Sequence, residues 1–313
     1  MQYGRYSFSI LFQDDAALPE YKGSTFRGAF GQALKKVACA LKLQNCAHCL
    51  LNQRCVYYLV FEQTPPGISG DGRKRIAAPP HPYVIELPED FKTRFPAGEF
   101  FGFSLLLFGN ANDYLPYFIY AFDQMGKTGI GRKTAGGKAK YLLKEVAAHD
   151  GIIYSSLTGK LRQGSFAHDL TLPYLSDGLE NAVRQVRLTL QTPLRLKFDN
   201  HLHAALPFHV LIRAMLRRVS SLLQYHGEGE PALDYRGLVA RAEAVAVEES
   251  SLRWFDWKRF SSRQDQSMLL GGMVGSVAYS GNLMLNLIRD EPAVLTVDLV
   301  AGKLIFRKRE LDM

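Results

Sequence analysis

The chain has 313 residues, with 38 Lys and Arg against 30 Asp and Glu, a net charge of +8 and a hydrophobic share of 47%. That apolar content excludes a mainly disordered chain, and no uninterrupted apolar run approaches the ~20 residues of a membrane span. The basic balance favours an anionic partner. MQYGRYSFSI lacks a charged-then-apolar leader, so a cytoplasmic protein is the expectation.

Tyr6, Phe8, Ile10 and Phe12 alternate with Arg5, Ser7, Ser9 and Leu11, which predicts a first strand. Lys22-Gly23-Ser24 makes a turn and a helix cap, after which Phe26, Phe30, Ala33, Leu34, Val37 and Leu41 mark one face of a helix. All four cysteines follow, Cys39, Cys46, Cys49 and Cys55, in the pattern C-x6-C-x2-C-x5-C. In a reducing compartment such a cluster is more often a metal site than two disulfides, and four thiolates suit one tetrahedral structural zinc. An iron–sulfur cluster is the alternative metal, and four unliganded thiols with Cys39 facing the core is the plain alternative. His48 stands where it can replace one ligand. Val56 to Phe61 reads as an apolar strand, and Thr64 to Pro82, rich in Pro, Gly, Lys and Arg, as a mobile loop that includes His81. Strands are expected at Tyr83 to Leu87 and Phe100 to Phe108, and a second helix on Leu115, Phe118, Ile119, Phe122 and Met125.

That helix runs into MGKTGIGRKTAGGK, from Met125 to Lys138, with a strand expected from Ala139 to Val146. Glycines let a backbone approach a phosphate and expose its N–H groups, while Lys127, Arg132, Lys133 and Lys138 supply charge. The stretch is not a Walker loop, because G-x4-G-K-[ST] is absent and the order is helix–loop–strand. A flexible, solvated hairpin tip is the competing explanation. Strand, helix, strand, strand, helix, strand over the first half is the ferredoxin-like order.

Gly159 to Asn181 shows no period and reads as a connector. The order then restarts. Val186 to Leu196 is strand material interrupted at Pro193, and Phe208, Leu211, Ile212, Met215, Leu216, Val219, Leu222 and Leu223 mark an amphipathic helix. Arg213 and Arg217 share its polar face, which is a solvated face unless it lines a phosphate path. Gly237 to Val247 reads as a short helical insertion. Leu252 to Leu283 reads as a basic, aromatic strand pair, with Lys258, Arg259 and Arg263 as phosphate contacts. Its Trp254 and Trp257 are core anchors first and base-stacking platforms second. Asn282 to Arg289 is expected as a short helix and Lys303 to Arg307 as a last strand.

Four passages carry more than local structure. They are Tyr21 to Phe30 (YKGSTFRGAF), the cysteine cluster with Val56-Tyr57, the glycine loop Gly126 to Lys138, and Leu206 to Arg218 (LPFHVLIRAMLRR) joined to Trp254 to Gln264 (WFDWKRFSSRQ). Together they resemble the CRISPR-associated endoribonucleases of the RAMP superfamily, which process precursor CRISPR RNA. The resemblance implies an α+β fold of two tandem ferredoxin-like (RAMP/RRM-like) domains with antiparallel sheets. The expected divisions are 1–155 with the four-cysteine insertion, a connector 156–183, and 184–313. Family members commonly carry a G-x-G-K segment before the last strand, and here only Gly302-Lys303 remains.

The same resemblance implies binding of single-stranded or stem-loop CRISPR repeat RNA, and it admits other CRISPR effector subunits as partners. It also implies a cut without a catalytic metal, by attack of a ribose 2′-hydroxyl on the adjacent phosphorus. That chemistry needs a base, a cation and an acid. The family often places a histidine in the first strand–helix region. This chain has Tyr21, Lys22 and Arg27 there, so Tyr21 and Lys22 are catalytic candidates and Arg27 an RNA contact. His201 and His203 are the other candidates, since spacing of two puts both on one side of an extended segment. Tyr279 is the one group of the 252–283 stretch that is able to act as a base. A non-catalytic RNA-binding subunit of the same fold is the rival expectation, and a metal protein unrelated to RNA the third.

Overall fold

The structure, a computed structural model, describes residues 1–42, 45–63, 79–88, 90–134, 136–169, 183–230, 232–261, 266–283, 295–300 and 303–308. It contains two compact units. Met1–Leu170 with Ser221–Glu230 form the first, and Thr171–Ser220 with Pro231–Met313 the second.

The first unit runs β1 (Gln2–Phe12), α1 (Gly23–Ala38), β2 (Tyr83–Glu86), β3 (Phe100–Phe108), α2 (Leu115–Thr128), β4 (Ile130–Thr134), β5 (Gly137–Ala139), β6 (Tyr141–Ala148) and β7 (Gly151–Ser155). The main sheet has the order β7-β6-β1-β3-β2, with every pairing antiparallel. The strands β6-β1-β3-β2 form the ferredoxin-like order, and β1 lies between two partners. Alternation makes β1 two-faced. Tyr6, Phe8, Ile10 and Phe12 are all buried and face the helices. Phe30 of α1 stacks on Phe122 of α2 with centroids 4.5 Å apart, and Phe8 stacks on Phe103 at 5.0 Å. Such aromatic pairs add specific geometry to their area burial.

Val56 to Phe61 is not a strand. Leu59 N–H donates to Cys55 O at 3.0 Å, and Tyr58–Glu62 forms a π-helix. Buried Val56, Tyr57 and Val60 follow a helical repeat. Their β-branched and aromatic types favoured the strand expectation, and packing against the core overrode it.

The second unit runs β8 (Val183–Leu194), α3 (Phe208–His226, whose end is grouped with the first unit), α4 (Tyr235–Glu243), β9 (Ala246–Ser250), β10 (Arg253–Ser261), β11 (Gln266–Leu283), β12 (Leu295–Val300) and β13 (Lys303–Lys308). Strand β11 pairs antiparallel with β8, β9 and β10. The β8–β12 pairing is parallel, a departure from all-antiparallel pairing. Register slips between Leu190 and Leu194, where Pro193 removes a ladder donor. The expected insertion at 237–247 divides in two. Asp234 caps α4 by accepting from Gly237 N–H at 2.9 Å, and β9 then joins the sheet. Val186, Leu188, Leu211, Met273, Val277 and Tyr279 are among its buried core. The helix expected at 282–289 lies outside the described residues from 284 onward, and so does Gly302. Among the described residues, no helix is long and apolar enough to cross a membrane.

Candidate nucleic-acid interface

The start of α1 is held by its own cation. Lys22 is 2% exposed, and its Nζ donates to both Asp90 Oδ1 and Asp90 O at 2.8 Å and reaches Glu20 O at 3.5 Å. Its ammonium also lies 5.8 Å from the centroid of the Phe95 ring. Tyr21 beside it is half-buried, and burial pushes its phenol up. A phenol so shifted keeps its proton and is suited to donate one rather than take one.

The glycine stretch is the end of α2 followed by a two-stranded hairpin. Gly131 has φ 87°, and a Cβ there would fall 2.5 Å from Ala17 O. The hairpin therefore lies directly against the segment that leads into Tyr21 and α1. Gly126 serves a second close approach, with Tyr141 O 2.4 Å from where its Cβ would stand. Arg132, Lys133, Lys138 and Lys140 are exposed at the hairpin; Lys140 N–H donates to Asp14 Oδ2 at 3.0 Å, while none of the four side chains forms an ion pair among the described residues. Lys127 differs. It pairs with Asp123 one turn back at 2.7 Å, and that hydrogen bond pushes its pKa up.

Arg27 projects from α1 toward the segment before β2. Its Nη2 donates to His81 Nε2 at 2.7 Å, and its guanidinium lies 5.6 Å from the Phe61 centroid. His81 Nδ1 donates to Val60 O at 2.9 Å. The two partners assign the tautomer. A carbonyl only accepts and a guanidinium only donates, so the proton is on Nδ1 and the Nε2 lone pair faces Arg27. Tyr83 lies against the same cluster, its ring 5.9 Å from that of His81 and 5.3 Å from that of Phe61. Among the described residues its buried hydroxyl has no fully formed hydrogen bond, and Arg27 lies close enough to act on it by charge and by a weak hydrogen bond. Burial pushes the phenol up, and Arg27 is the charge that pulls it back. His81 is thus a half-buried, fixed residue, whereas the sequence placed it in a mobile loop. Residues 64–78 of that loop lie outside the described residues. The signal that was available is Pro80-His81-Pro82, since prolines on both sides restrict the backbone.

The cysteines share one loop of short turns, Cys46–His48 and Asn52–Arg54. Burial pushes the Cys46 thiol up and Lys35 pulls it down, while Cys39, Cys55 and Cys49 all add to the upward push. The four sulfurs therefore share one neighbourhood. Among the described residues, no three His, Cys, Asp or Glu side chains are gathered as an ion's ligand set. Leu51 N–H donates to Cys49 Sγ at 3.4 Å.

On the second unit, Arg213 and Arg217 are exposed on α3. Lys258 and Arg259 lie on β10 at the register positions of Leu269 and Met268. Arg263 lies outside the described residues. Trp254 Nε1 donates to Asp256 Oδ1 at 2.8 Å, and Trp257 stacks with Phe255 at 6.2 Å. Tyr279 is fully buried and donates to Leu206 O at 2.8 Å, so it is a core residue closed to base chemistry. His201 sits in a tight turn, its Nδ1 donating to Asp199 O at 2.7 Å, with Asp199 and Asn200 at φ 48° and 61°. His203 and His209 lie edge-on to Phe198 at 5.8 and 5.7 Å. A cavity of about 340 Å³ opens on the first unit beside Tyr6, Asn112, Asp113 and Arg162, and its lining shares no residue with α1, the hairpin or the His81 cluster.

Two family models divide the chain between them. One, AF_1859_N, described as an N-terminal domain, matches residues 1–165. The other, the CRISPR-associated endoribonuclease Cas6, matches residues 188–299. Two solved chains, described as a partial Cas6-RT-Cas1–Cas2 complex and the Cas6-RT-Cas1–Cas2 complex, share the fold at TM-score 0.51 and 13% identity. They cover 90% of this chain, which spans only 40% and 25% of theirs. A relative from Archaeoglobus fulgidus, described as an uncharacterized protein, is 24% identical over 276 residues, 84% of this chain and 81% of its own. The fold is α+β, with ferredoxin-like domains in tandem. The chain belongs to the family of the AF_1859_N model, and its residues 188–299 are similar to the Cas6 endoribonuclease model.

Proposed function

We propose that this protein binds precursor CRISPR RNA and cuts it within the repeat, using the ribose 2′-hydroxyl as nucleophile and leaving a 2′,3′-cyclic phosphate and a 5′-hydroxyl. The observation that carries the proposal is the glycine hairpin with exposed Arg132, Lys133, Lys138 and Lys140 fastened against the start of α1. Cations without acidic partners attract a phosphate backbone by releasing its counterions. Arg27, Lys127, Arg213, Arg217, Lys258, Arg259 and Arg263 extend the RNA contacts in this proposal. Tyr21 is its proton donor, Lys22 sets the helix start, and His201 and His203 are candidates on the second unit. RNA is the partner. The solved chains described as Cas6-RT-Cas1–Cas2 complexes favour further CRISPR proteins as partners.

A structural zinc on Cys39, Cys46, Cys49 and Cys55 belongs to the proposal, with no part in the cut. Its support is the spacing, the shared neighbourhood of the thiols and the Leu51 N–H aimed at Cys49 sulfur. A second reading, an RNA-binding RAMP subunit that does not cut, is favoured by Lys22, whose ammonium is already engaged by Asp90 and Glu20. One experiment separates the two. Purified protein is mixed with RNA carrying the repeat of its own array, without added divalent metal. A single cut that a 2′-deoxy substitution abolishes supports the endoribonuclease, and tight binding of RNA that stays whole supports the second reading.

A further inference from the structure

We infer that the outer face of α2, with Tyr117, Tyr120 and Tyr154, is a base-stacking ledge for single-stranded RNA, and that the cavity at the start of α2 takes one unpaired nucleobase at its end. The inference rests on the RNA binding that both readings of the function share. It adds a surface separate from the basic hairpin.

Helix α2 buries Phe118, Ile119, Phe122 and Met125, and the helical repeat places Tyr117, Tyr120, Gln124 and Lys127 along its outer side. Tyr117 is 44% and Tyr120 53% exposed, and Tyr114 meets Tyr117 edge-on with centroids 6.5 Å apart. Tyr154 joins them from β7. Burial pushes its phenol up, Asp123 adds to the push and Lys127 opposes it, so the ring stands beside the Asp123–Lys127 pair. Tyr120 lies in the field of the same lysine. Lys127 ends this surface where α2 runs into the hairpin. The cavity is its other end. Leu161 in the cavity wall is the register partner of Tyr154, and Leu115 and Pro116 of α2 line the same cavity. A helix of 14 residues is about 21 Å long, a run of several nucleotides.

The chemistry of the surface selects its occupant. The exposed positions of α2 carry no Leu, Ile, Val or Met, so a protein partner finds no aliphatic anchor there. Every base has a π-face for an exposed ring, whatever its sequence. The cavity of about 340 Å³ is within the range of small-ligand sites, which starts near ~300 Å³. Its lining offers donors in Arg162, an acceptor in Asp113, and groups that serve either way in Gln2, Gln163 and Ser165. Arg162 is fixed by Asp150 and by the Phe166 ring at 5.0 Å. The buried Tyr6 is committed to Asn112 Oδ1 at 2.9 Å, and the Asp113 carboxylate forms no ion pair among the described residues. The edge of an unpaired base presents donors and acceptors side by side without net charge. That matches this lining better than a free anion, which Asp113 repels, or a free cation, which Arg162 repels.

The test measures binding of the full chain, over a range of salt, to a 2′-deoxy version of RNA with its own repeat, extended on both sides by unpaired nucleotides. Tyr117→Ala with Tyr120→Ala is expected to weaken binding by about tenfold or more, with the slope of log affinity on log salt unchanged. Tyr117→Phe with Tyr120→Phe keeps both rings and is expected to bind as wild type does. Asp113→Ala is expected to even out the affinities for extensions of A, C, G and U. A double alanine variant that binds within twofold of wild type overturns the ledge and leaves the RNA-binding reading standing. So does a loss that comes with a flatter salt slope, which assigns it to charge, or a phenylalanine variant as weak as the alanine one. Unchanged base preferences in Asp113→Ala overturn the cavity's part. If the double alanine variant alters the oligomeric state of the free protein in sedimentation, the face is a contact between copies of the chain and the inference falls. Wild-type protein that binds the RNA at no salt concentration removes the inference and the reading together.

Discussion

Lys22 is a cation with almost no water around it, and its ammonium is the knot between the α1 start and the irregular segment at Asp90. Asp90 is half exposed and rehydrates when the lysine is removed, whereas the Asp90 and Glu20 carbonyls lose a charged donor. Lys22→Ala is therefore expected to lower stability by about 2 kcal/mol, read as a lower denaturation midpoint at unchanged slope. An unaltered midpoint would show that the buried ion pair contributes nothing net. Single residues differ in how plainly the sequence announces them. Tyr6, Phe8, Ile10 and Phe12 declare their burial by alternation. His81 declares little, because its partner Arg27 is 54 positions away and only the folded sheet brings them together. Lys22 is visible as a lysine at a helix start, but nothing local marks it as buried.

At the level of elements, the β4–β5 hairpin carries cations whose side chains form no ion pair among the described residues. Removing two of its cations, as in Arg132→Ala with Lys133→Ala, is expected to weaken RNA binding across all sequences. The dependence of log affinity on log salt is expected to flatten by about one unit for each cation that touches a phosphate. An unchanged slope would take the hairpin off the RNA path. The cysteine segment is expected to hold one zinc per chain when protein from zinc-supplemented cells is assayed by elemental analysis, with chelator lowering its thermal midpoint. Two disulfides, or four freely titrating thiols with no metal, would remove the ion. Both elements were legible as sequence, one by its glycines and cations and the other by cysteine spacing. The π-helix at Tyr58–Glu62 was not. Six apolar residues are too few to separate a period of two from one near four, and the neighbouring Phe30 and Tyr83 decide the matter.

For the molecule as a whole, buried phenols make the fold sensitive to base. Burial, aided by Asp113, pushes Tyr6 up to about 12, and burial also pushes up Tyr83, Tyr141 and Tyr279. The folded chain therefore holds these protons more tightly than the unfolded chain does. Their contribution is fully present below the ordinary phenol value of 10.0 and is lost as pH rises toward about 12. Denaturation midpoints are expected to be flat from pH 8 to 9.5 with respect to these groups and to fall steeply above 10, and midpoints holding at pH 11.5 would contradict this. The same scale shows how the ferredoxin-like plan is built in time. Strand β1 is interior to its sheet, and one of its neighbours, β6, follows roughly 130 residues later in the chain. At a synthesis rate of about 5–20 residues per second, β1 spends on the order of ten seconds with that edge bare. Throughout that interval a ribosome-bound strand carrying Phe8, Ile10 and Phe12 is a ready target for chaperones and for other nascent chains.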